Sequence, residues 1–239
     1  MSFVINTNTA AANAANNLSA SNLQLQNSLN KLSSGSRIVK ASDDAGGLAV
    51  SMKLTTAAQN ASATVAKDAN EVSFLQAQDG VLQVMGSVLT RMSQLSSLAK
   101  DPSVDTSQYG TEFTALSTEL GALAGSQYNG MTLLSGIGGV SAVTVTTTGL
   151  AIGTGVDTAI GQLASARATN GAAQSSLGFD SQVQSITQTN LQAASGQITN
   201  VDVATEATNL AKWNVMVQYG AAMLAQANQT TQVALKLIQ

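Results

Sequence analysis

Apolar residues recur every seven positions near both ends of the chain. Near the N-terminus the repeat consists of Leu18, Leu25 and Leu32, on a tract otherwise rich in Asn, Ser and Gln. Near the C-terminus it consists of Val203, Leu210, Val217 and Leu224, with Trp213 on the same face. A narrow apolar stripe on a helix cannot bury itself. The spacing therefore predicts two terminal helices that pair through these residues, which we take as the candidate assembly interface.

The interior carries the strongest helical periodicity. The repeating apolar positions include Leu75, Leu82, Met85, Leu89 and Met92, and the stripe is widened by Val81, Val84, Val88 and Leu95. A stripe of this width is typical of a helix in a multi-helix bundle. Pro102 ends the pattern, and a second helix, which returns antiparallel, is predicted from about Thr111 to Ala124. Helix is predicted to resume near Asp157 and to run towards the terminal helix.

A short middle segment differs from the rest. Between Gly136 and Gly155, Val and Thr crowd among glycines, as they do in hairpins, and we find no other β signal. The predicted fold is therefore mainly α, an elongated antiparallel helical bundle with a terminal coiled-coil helix pair and one small β-hairpin. The predicted domains are residues 1–42 with 198–239, the terminal coiled coil, and residues 43–197, the bundle with the hairpin.

The segment "ASDDAGGLAV" places adjacent acids before a predicted helix. Ser42 or Asp43 is the expected N-cap, with the carboxylates of Asp43 and Asp44 near the first free amides. A metal site would need further oxygen ligands, and acid/base catalysis would need a second carboxylate across a cleft. Neither partner is identifiable in the sequence, so capping is the favoured interpretation.

Composition narrows the chemistry further. The chain has no His and no Cys, which excludes histidine bases, thiol nucleophiles and the usual zinc sites. We expect no catalytic residue, no metal and no cofactor. Net charge is −3 and only 10% of residues are charged, which disfavours nucleic acid and anionic lipid. No apolar run is long enough to span a membrane, and the N-terminus does not resemble a general secretory signal.

Several motifs resemble those of bacterial flagellins. They are "VINTN" at 4–8, "LSSGSRI" at 32–38, "ASDDAGGLAV" at 41–50, "YNGMTLL" at 128–134 and "LAQANQ" at 224–229. They stand in the order of that family and cover both ends and most of the interior. The chain is therefore identified as a flagellin of a short form, without the large outer domains found in many members.

This resemblance implies a structural subunit that self-assembles into the extracellular flagellar filament for motility. It implies a helical homopolymer and further partners, namely an export chaperone, the filament cap and hook-associated proteins. It also implies secretion by flagellar type III export without a cleaved signal. A Toll-like innate receptor binds some flagellins through a segment resembling "LTRMSQL", where Leu89, Arg91 and Leu95 match. Ser93 and Gln94 replace charged residues there, so the resemblance implies weakened binding. The alternative is that Arg91 is a solvated or subunit-facing residue.

Three other functions fit the sequence less well. A hook-filament junction protein has the same architecture, but that family usually has a proline next to the paired acids, where this chain has Ala45. An enzyme using Asp43 and Asp44 lacks the residues to assemble a site. A cytosolic coiled-coil adaptor does not account for the two terminal signatures. A filament subunit is therefore the leading hypothesis.

Overall fold

A computed structural model describes residues 7–101, 103, 106–134 and 153–236. Over these residues the chain forms helices α1 (Thr9–Ser34), α2 (Ala45–Leu98), α3 (Thr106–Ala124), α4 (Gly153–Thr199) and α5 (Val203–Lys236). A hairpin of two short strands, β1 (Gln127–Tyr128) and β2 (Met131–Thr132), follows α3. The predicted mainly α fold with paired terminal helices is confirmed, and the described residues include a small hairpin at a different place from the predicted one.

Short polar residues and glycine define the ends of the terminal helices. The Asn8 side chain accepts a hydrogen bond from the Ala11 amide at 3.0 Å and begins α1. Gly35, in the left-handed region at φ 67°, ends it. Asp202 begins α5 by accepting from the amides of Ala204 and Thr205. These contacts satisfy backbone groups that the helices leave free at their ends.

The chain divides into two compact units. Unit 1 comprises Met1–Ala58 with Thr189–Gln239, and unit 2 comprises Gln59–Gln188. The boundaries fall within α2 and α4, whereas the sequence placed them near residues 42 and 198, in the connections between helices.

The core of unit 2 comes from three helices and the residues after the hairpin. α2 contributes Leu82, Met85, Leu89, Met92 and Leu95, all at most 1% exposed. Facing them are Phe113, Leu120, Leu134, Val156, Ala159, Leu163 and Ala166. Five of the apolar positions on α2 that the periodicity singled out are therefore core positions. Val84, also assigned to that stripe, is instead 50% exposed.

A chain of buried amide groups crosses unit 2. Gln78 donates through its side-chain nitrogen to the Leu133 carbonyl and accepts from Asn170 Nδ2 at 2.6 Å. Asn170 Nδ2 also lies 3.1 Å from the Leu75 carbonyl, and its oxygen accepts from Gln174. The side chains of α2 and α4 are thus tied to each other and to the residue that follows β2. Such a satisfied network favours one pairing of the helices.

Asp68 and Ser96 on α2 are exceptions to this pairing of polar groups. The Asp68 side chain is 1% exposed, and neither carboxylate oxygen has a hydrogen-bond partner within the described part of the chain. It occupies the same face of α2 as Ala61 and Gln78, both of which are buried. An unpaired carboxylate in this position opposes folding.

The described hairpin is not the predicted one. Most of the range predicted for a hairpin, 136–152, lies outside the described residues, and residues 153–155 already belong to α4. The strands at 127–132 were missed, so the statement that no other β signal exists was wrong. Their signal is the pair Asn129 and Gly130, with φ values of 50° and 80°. Two positive φ values in a two-residue loop are typical of a type I′ turn.

Candidate assembly surface

The helices α1 and α5 pair antiparallel in unit 1. On α1 the less exposed positions follow alternating steps of three and four residues: 11, 14, 18, 21, 25, 28 and 32. On α5 the same spacing runs through 206, 210, 213, 217, 220, 224 and 227. This is the spacing of a coiled-coil seam. Leu18, Leu25, Leu32, Leu210, Trp213, Val217 and Leu224 all belong to it.

Gly220 allows the two helices to approach closely. A Cβ added at Gly220 would lie 3.2 Å from Leu18 Cδ1 and 3.5 Å from the Leu18 Cα. Near the same end of the pair, Asn8 Nδ2 donates to the Ala227 carbonyl at 3.0 Å. Gly220 was not predicted to lie in the seam, because glycine breaks the apolar repeat.

Val203 does not belong to the seam, although it keeps the seven-residue period. It is the first residue of α5 and is 61% exposed. α1 has ended at Ser34, and the backbone beside Val203 is held by the Gly35 carbonyl, which accepts from the Val201 amide at 3.0 Å. Glycine offers no side chain to cover Val203, so the seam begins one turn later.

A short backbone pairing closes this end of unit 1. The Arg37 amide donates to the Thr199 carbonyl at 2.7 Å, and its guanidinium donates to the Ile198 carbonyl. Ser36 pairs with Asn200 as an isolated β-bridge. Arg37 also lies 3.6 Å from an Asp44 oxygen. The motif "LSSGSRI" therefore fixes the exit of α1 against the connection between α4 and α5.

The paired acids have separate structural roles. Asp44 Oδ1 accepts from the Gly47 amide at 2.7 Å and caps α2. Asp43 turns back instead, and its Oδ2 accepts from the amides of Val39 and Lys40 at 3.0 and 2.9 Å. Ser42 is exposed in the turn. The N-cap is thus Asp44 and not Ser42 or Asp43, because the chain folds back over residues 39–43 before the helix starts.

The surroundings of these acids explain why residue 47 is a glycine and why the pKa of Asp43 is shifted. A Cβ at Gly47 would collide with the Asp44 carboxylate and lie 3.0 Å from Ile38 Cδ1. The hydrogen bonds from the Lys40 and Val39 amides hold the pKa of Asp43 below its ordinary value. Both acids serve the backbone of this loop.

A second apolar stripe on α5 runs beside the seam. Met216, Tyr219 and Met223 are 45%, 66% and 62% exposed, and we call them the outer stripe. With Trp213 they form one wall of a groove of about 720 Å³. The other wall is α1, which contributes mainly small and amide side chains: Ala10, Asn13, Ala14, Asn17, Ala20, Ser21 and Gln24. Large exposed apolar side chains at helical spacing are typical of a surface that another protein covers.

Unit 2 carries an exposed stripe of its own on α4. Phe179, Val183 and Ile186 are 67%, 56% and 56% exposed and follow helical spacing. Neither exposed stripe was predicted from the sequence. Their helical spacing was a readable signal, but apolar residues at that spacing were assigned to intramolecular packing.

The candidate receptor segment divides into buried and exposed residues. Leu89 and Leu95 are 0% and 1% exposed in the core of unit 2, so a receptor cannot reach them on the folded unit. Arg91 is exposed, and its Nε donates to Glu112 Oε1 at 2.7 Å. This hydrogen bond raises the pKa of Arg91 and lowers the pKa of Glu112. The two leucines are core residues, and only the arginine lies on the surface.

Among the residues that the structure describes, no three acidic side chains come together in a way that could hold a metal ion. None of the described helices has a stretch long and apolar enough to cross a membrane.

Two family models match the chain. The bacterial flagellin N-terminal helical region matches residues 5–139, and the bacterial flagellin C-terminal helical region matches residues 154–238. Together they include both helices of the seam.

Individual relatives match over nearly their full length. The chain is 32% identical to the flagellar filament 33 kDa core protein of Treponema phagedenis, covering 99% of this chain and 100% of that protein. It is 31% identical to the flagellin FlaB2 of Treponema pallidum, with the same coverage. It is 28% identical to a flagellin of Bacillus subtilis, covering 98% and 99%. These matches do not favour the hook-filament junction protein.

Proposed function

This chain belongs to the bacterial flagellin family, and from that membership we propose that it is the structural subunit of a flagellar filament. The role is mechanical: copies of the chain self-assemble into a helical polymer that serves motility. The observation that supports it best is the match of both terminal regions to flagellin, together with an α5 helix that pairs with α1 and still exposes the outer stripe. We infer a structural and not a catalytic role.

Assembly uses the outer stripe, in our proposal. Tyr219 with its two methionine neighbours stands above the small side chains of α1, so a helix of a second copy can pack in the groove. Few charges have to be desolvated, since only 10% of the chain is charged. The α1–α5 seam has a different task, which is to hold the stripe in place. The terminal segments 1–42 and 198–239 then form the filament core, and residues 43–197 form the next layer.

The export route and the further partners of the chain are also proposed from its family membership. The chain leaves the cell by flagellar type III export and is extracellular in the filament. An export chaperone covers its C-terminal helix beforehand, and the filament cap and hook-associated proteins contact it at the filament ends. Binding by a Toll-like receptor is weak, because Arg91 is held by Glu112 and the neighbouring Ser93 and Gln94 carry no charge.

Seeded polymerisation of the purified full chain tests this function. Sonicated filament fragments are added, and filaments are scored by electron microscopy and sedimentation. We expect long filaments from the natural chain and none from Met223→Asp, because a charge would be buried between copies. Met131→Asp is the matched control, since Met131 is 57% exposed but lies in the hairpin of unit 2. Failure of the natural chain to polymerise on seeds would overturn the proposal.

A further inference from the structure

The sulfur atoms of this chain divide sharply by exposure. The sequence has seven methionines and no cysteine, so thioethers are its only sulfur targets for oxidants. Met1 lies outside the described residues. Met85 and Met92 are 0% exposed in the core of unit 2, whereas Met52, Met131, Met216 and Met223 are 62%, 57%, 45% and 62% exposed. Because oxidation of methionine follows access to the sulfur, peroxides should distinguish these two groups.

Two of the exposed methionines flank the largest side chain of the outer stripe. Met216 and Met223 are seven residues apart, on the same face of α5, with Tyr219 between them, and all three line the groove against α1. Neither methionine lies in the α1–α5 seam, which uses positions 213, 217, 220 and 224. Oxidation at these two sulfurs therefore changes the surface of unit 1 while the helix pair beneath it stays intact.

We propose that Met216 and Met223 form an oxidation site through which hydroperoxides prevent the free subunit from adding to a filament. Each sulfoxide places a polar S–O group where the packing of a second copy needs an apolar surface. In the assembled filament the neighbouring copy covers the same sulfurs and protects them. The inference rests on the proposed function, because it takes the outer stripe to be the contact between copies.

The chemistry is a two-electron oxygen transfer. The thioether sulfur attacks one oxygen of hydrogen peroxide, an S–O bond forms and the O–O bond breaks. The proton of the transferred oxygen passes to the departing hydroxide, which leaves as water. The sulfur is oxidised and the peroxide is reduced, so no other reactant is needed. Methionine sulfoxide reductases, drawing electrons from thiols, return the thioether and release water, and one enzyme is required for each sulfoxide epimer.

The experiment compares oxidation before and after assembly. The full chain is treated with hydrogen peroxide, the excess is removed with catalase, seeds are added and the sedimented fraction is measured. Peptide mass spectrometry reports the sulfoxide at each methionine. We expect oxidation at the four exposed methionines, none at Met85 or Met92, and a loss of polymerisation of at least tenfold. Treatment with both reductases should restore it. Filaments treated after assembly should keep Met216 and Met223 reduced.

Two double variants assign the effect to the stripe. Met216→Leu with Met223→Leu removes the sulfurs and keeps apolar side chains, so this variant should polymerise as well after peroxide as before it. Met52→Leu with Met131→Leu removes the other two exposed sulfurs and should stay as sensitive as the natural chain. The opposite pattern, in which the second variant alone resists peroxide, would overturn the inference.

The remaining outcomes also test the inference. If untreated Met216→Leu/Met223→Leu does not polymerise, the test uses oxidation of the natural chain instead. Equal oxidation of Met216 and Met223 in free subunits and in filaments would then contradict the inference. If the untreated natural chain does not polymerise on seeds, the proposed function fails, and the inference that rests on it fails with it. Normal polymerisation with a peroxide-insensitive natural chain overturns the inference alone.

Discussion

Leu18 packs against the bare backbone of Gly220, with its Cδ1 only 3.2 Å from the position that a Cβ would occupy. Glycine inside a helix ordinarily lowers stability by about 1 kcal/mol relative to alanine. Its presence in α5 is explained by the close approach of α1. Gly178 in α4 offers a comparison, because an added Cβ there meets no atom within 4 Å.

These two glycines should respond differently to alanine. Gly178→Ala is expected to raise the free energy of unfolding by about 0.5–1 kcal/mol through helix propensity. The free energy of unfolding of Gly220→Ala should be lower than that of Gly178→Ala by at least about 1 kcal/mol, because the new methyl group crowds Leu18. Thermal unfolding followed by circular dichroism measures both. Equal stabilisation by the two substitutions would show that the close approach of the helices is not required.

Leu210→Asp should abolish polymerisation while unit 2 stays folded. Leu210 lies half-buried in the seam, and a charge there has no partner. If the buried charge destabilises the assembled state by more than about 1.4 kcal/mol, the equilibrium constant of assembly falls more than tenfold. Leu98→Asp is the matched control, since Leu98 is 47% exposed at the end of α2. Electron microscopy after seeding gives the result, and filaments from Leu210→Asp at the natural yield would refute the pairing of α1 with α5.

Gln78 and Asn170 should be energetically coupled. Gln78→Leu leaves the Leu133 carbonyl without its donor and removes one of the two acceptors of Asn170 Nδ2, and each buried polar group left unpaired costs about 1–3 kcal/mol. Asn170→Leu likewise leaves Gln78 Oε1 without its donor. The double variant should therefore cost less than the sum of the single variants by about 1 kcal/mol or more. Urea unfolding of the four proteins measures this, and additive effects within about 0.5 kcal/mol would contradict the coupling.

Asp68→Ala should stabilise unit 2. The substitution removes a buried carboxylate without a partner and leaves a small apolar residue, so a gain of about 1–3 kcal/mol is expected. Asp79→Ala should lower the stability of unit 2, by less than about 1 kcal/mol. Asp79 forms a half-exposed ion pair with Arg167 at 2.9 Å, and the substitution removes that pair. Urea unfolding compares the two variants. A loss of stability in Asp68→Ala would mean that the carboxylate supports the fold.

Acid should loosen the loop that Asp43 holds. The pKa of Asp43 is below its ordinary value of 3.8 because it accepts hydrogen bonds from the Lys40 and Val39 amides. The stabilisation is therefore complete above pH 3.8 and is lost as the pH falls through the lower pKa of the folded state. The amide NMR signals of Val39 and Lys40 should shift with a midpoint below 3.8. Asp43→Asn should abolish that titration, and a midpoint at or above 3.8 would contradict the prediction.

Much of the helical framework was determined by the sequence alone. Leu18, Leu25 and Leu32 predicted the α1 side of the seam, and Leu82, Met85 and Leu89 predicted a core face, because helical periodicity is a local property of the chain. The motif resemblance added the family and the function. Asn129 and Gly130 were an equally local hairpin signal that was overlooked.

Other features were decided only by the tertiary structure. Val203 keeps the period of the seam, yet it is exposed because α1 ends before reaching it. Asp44 caps α2 because the loop turns Asp43 backwards. Gln78 and Asn170 are polar residues, which the sequence assigns to the surface, and they are buried where α2 and α4 bond to each other. Asp68 is also polar and buried. Burial and capping depend on which part of the chain lies opposite a residue, and a repeat read along one helix carries no information about where its partner begins or ends.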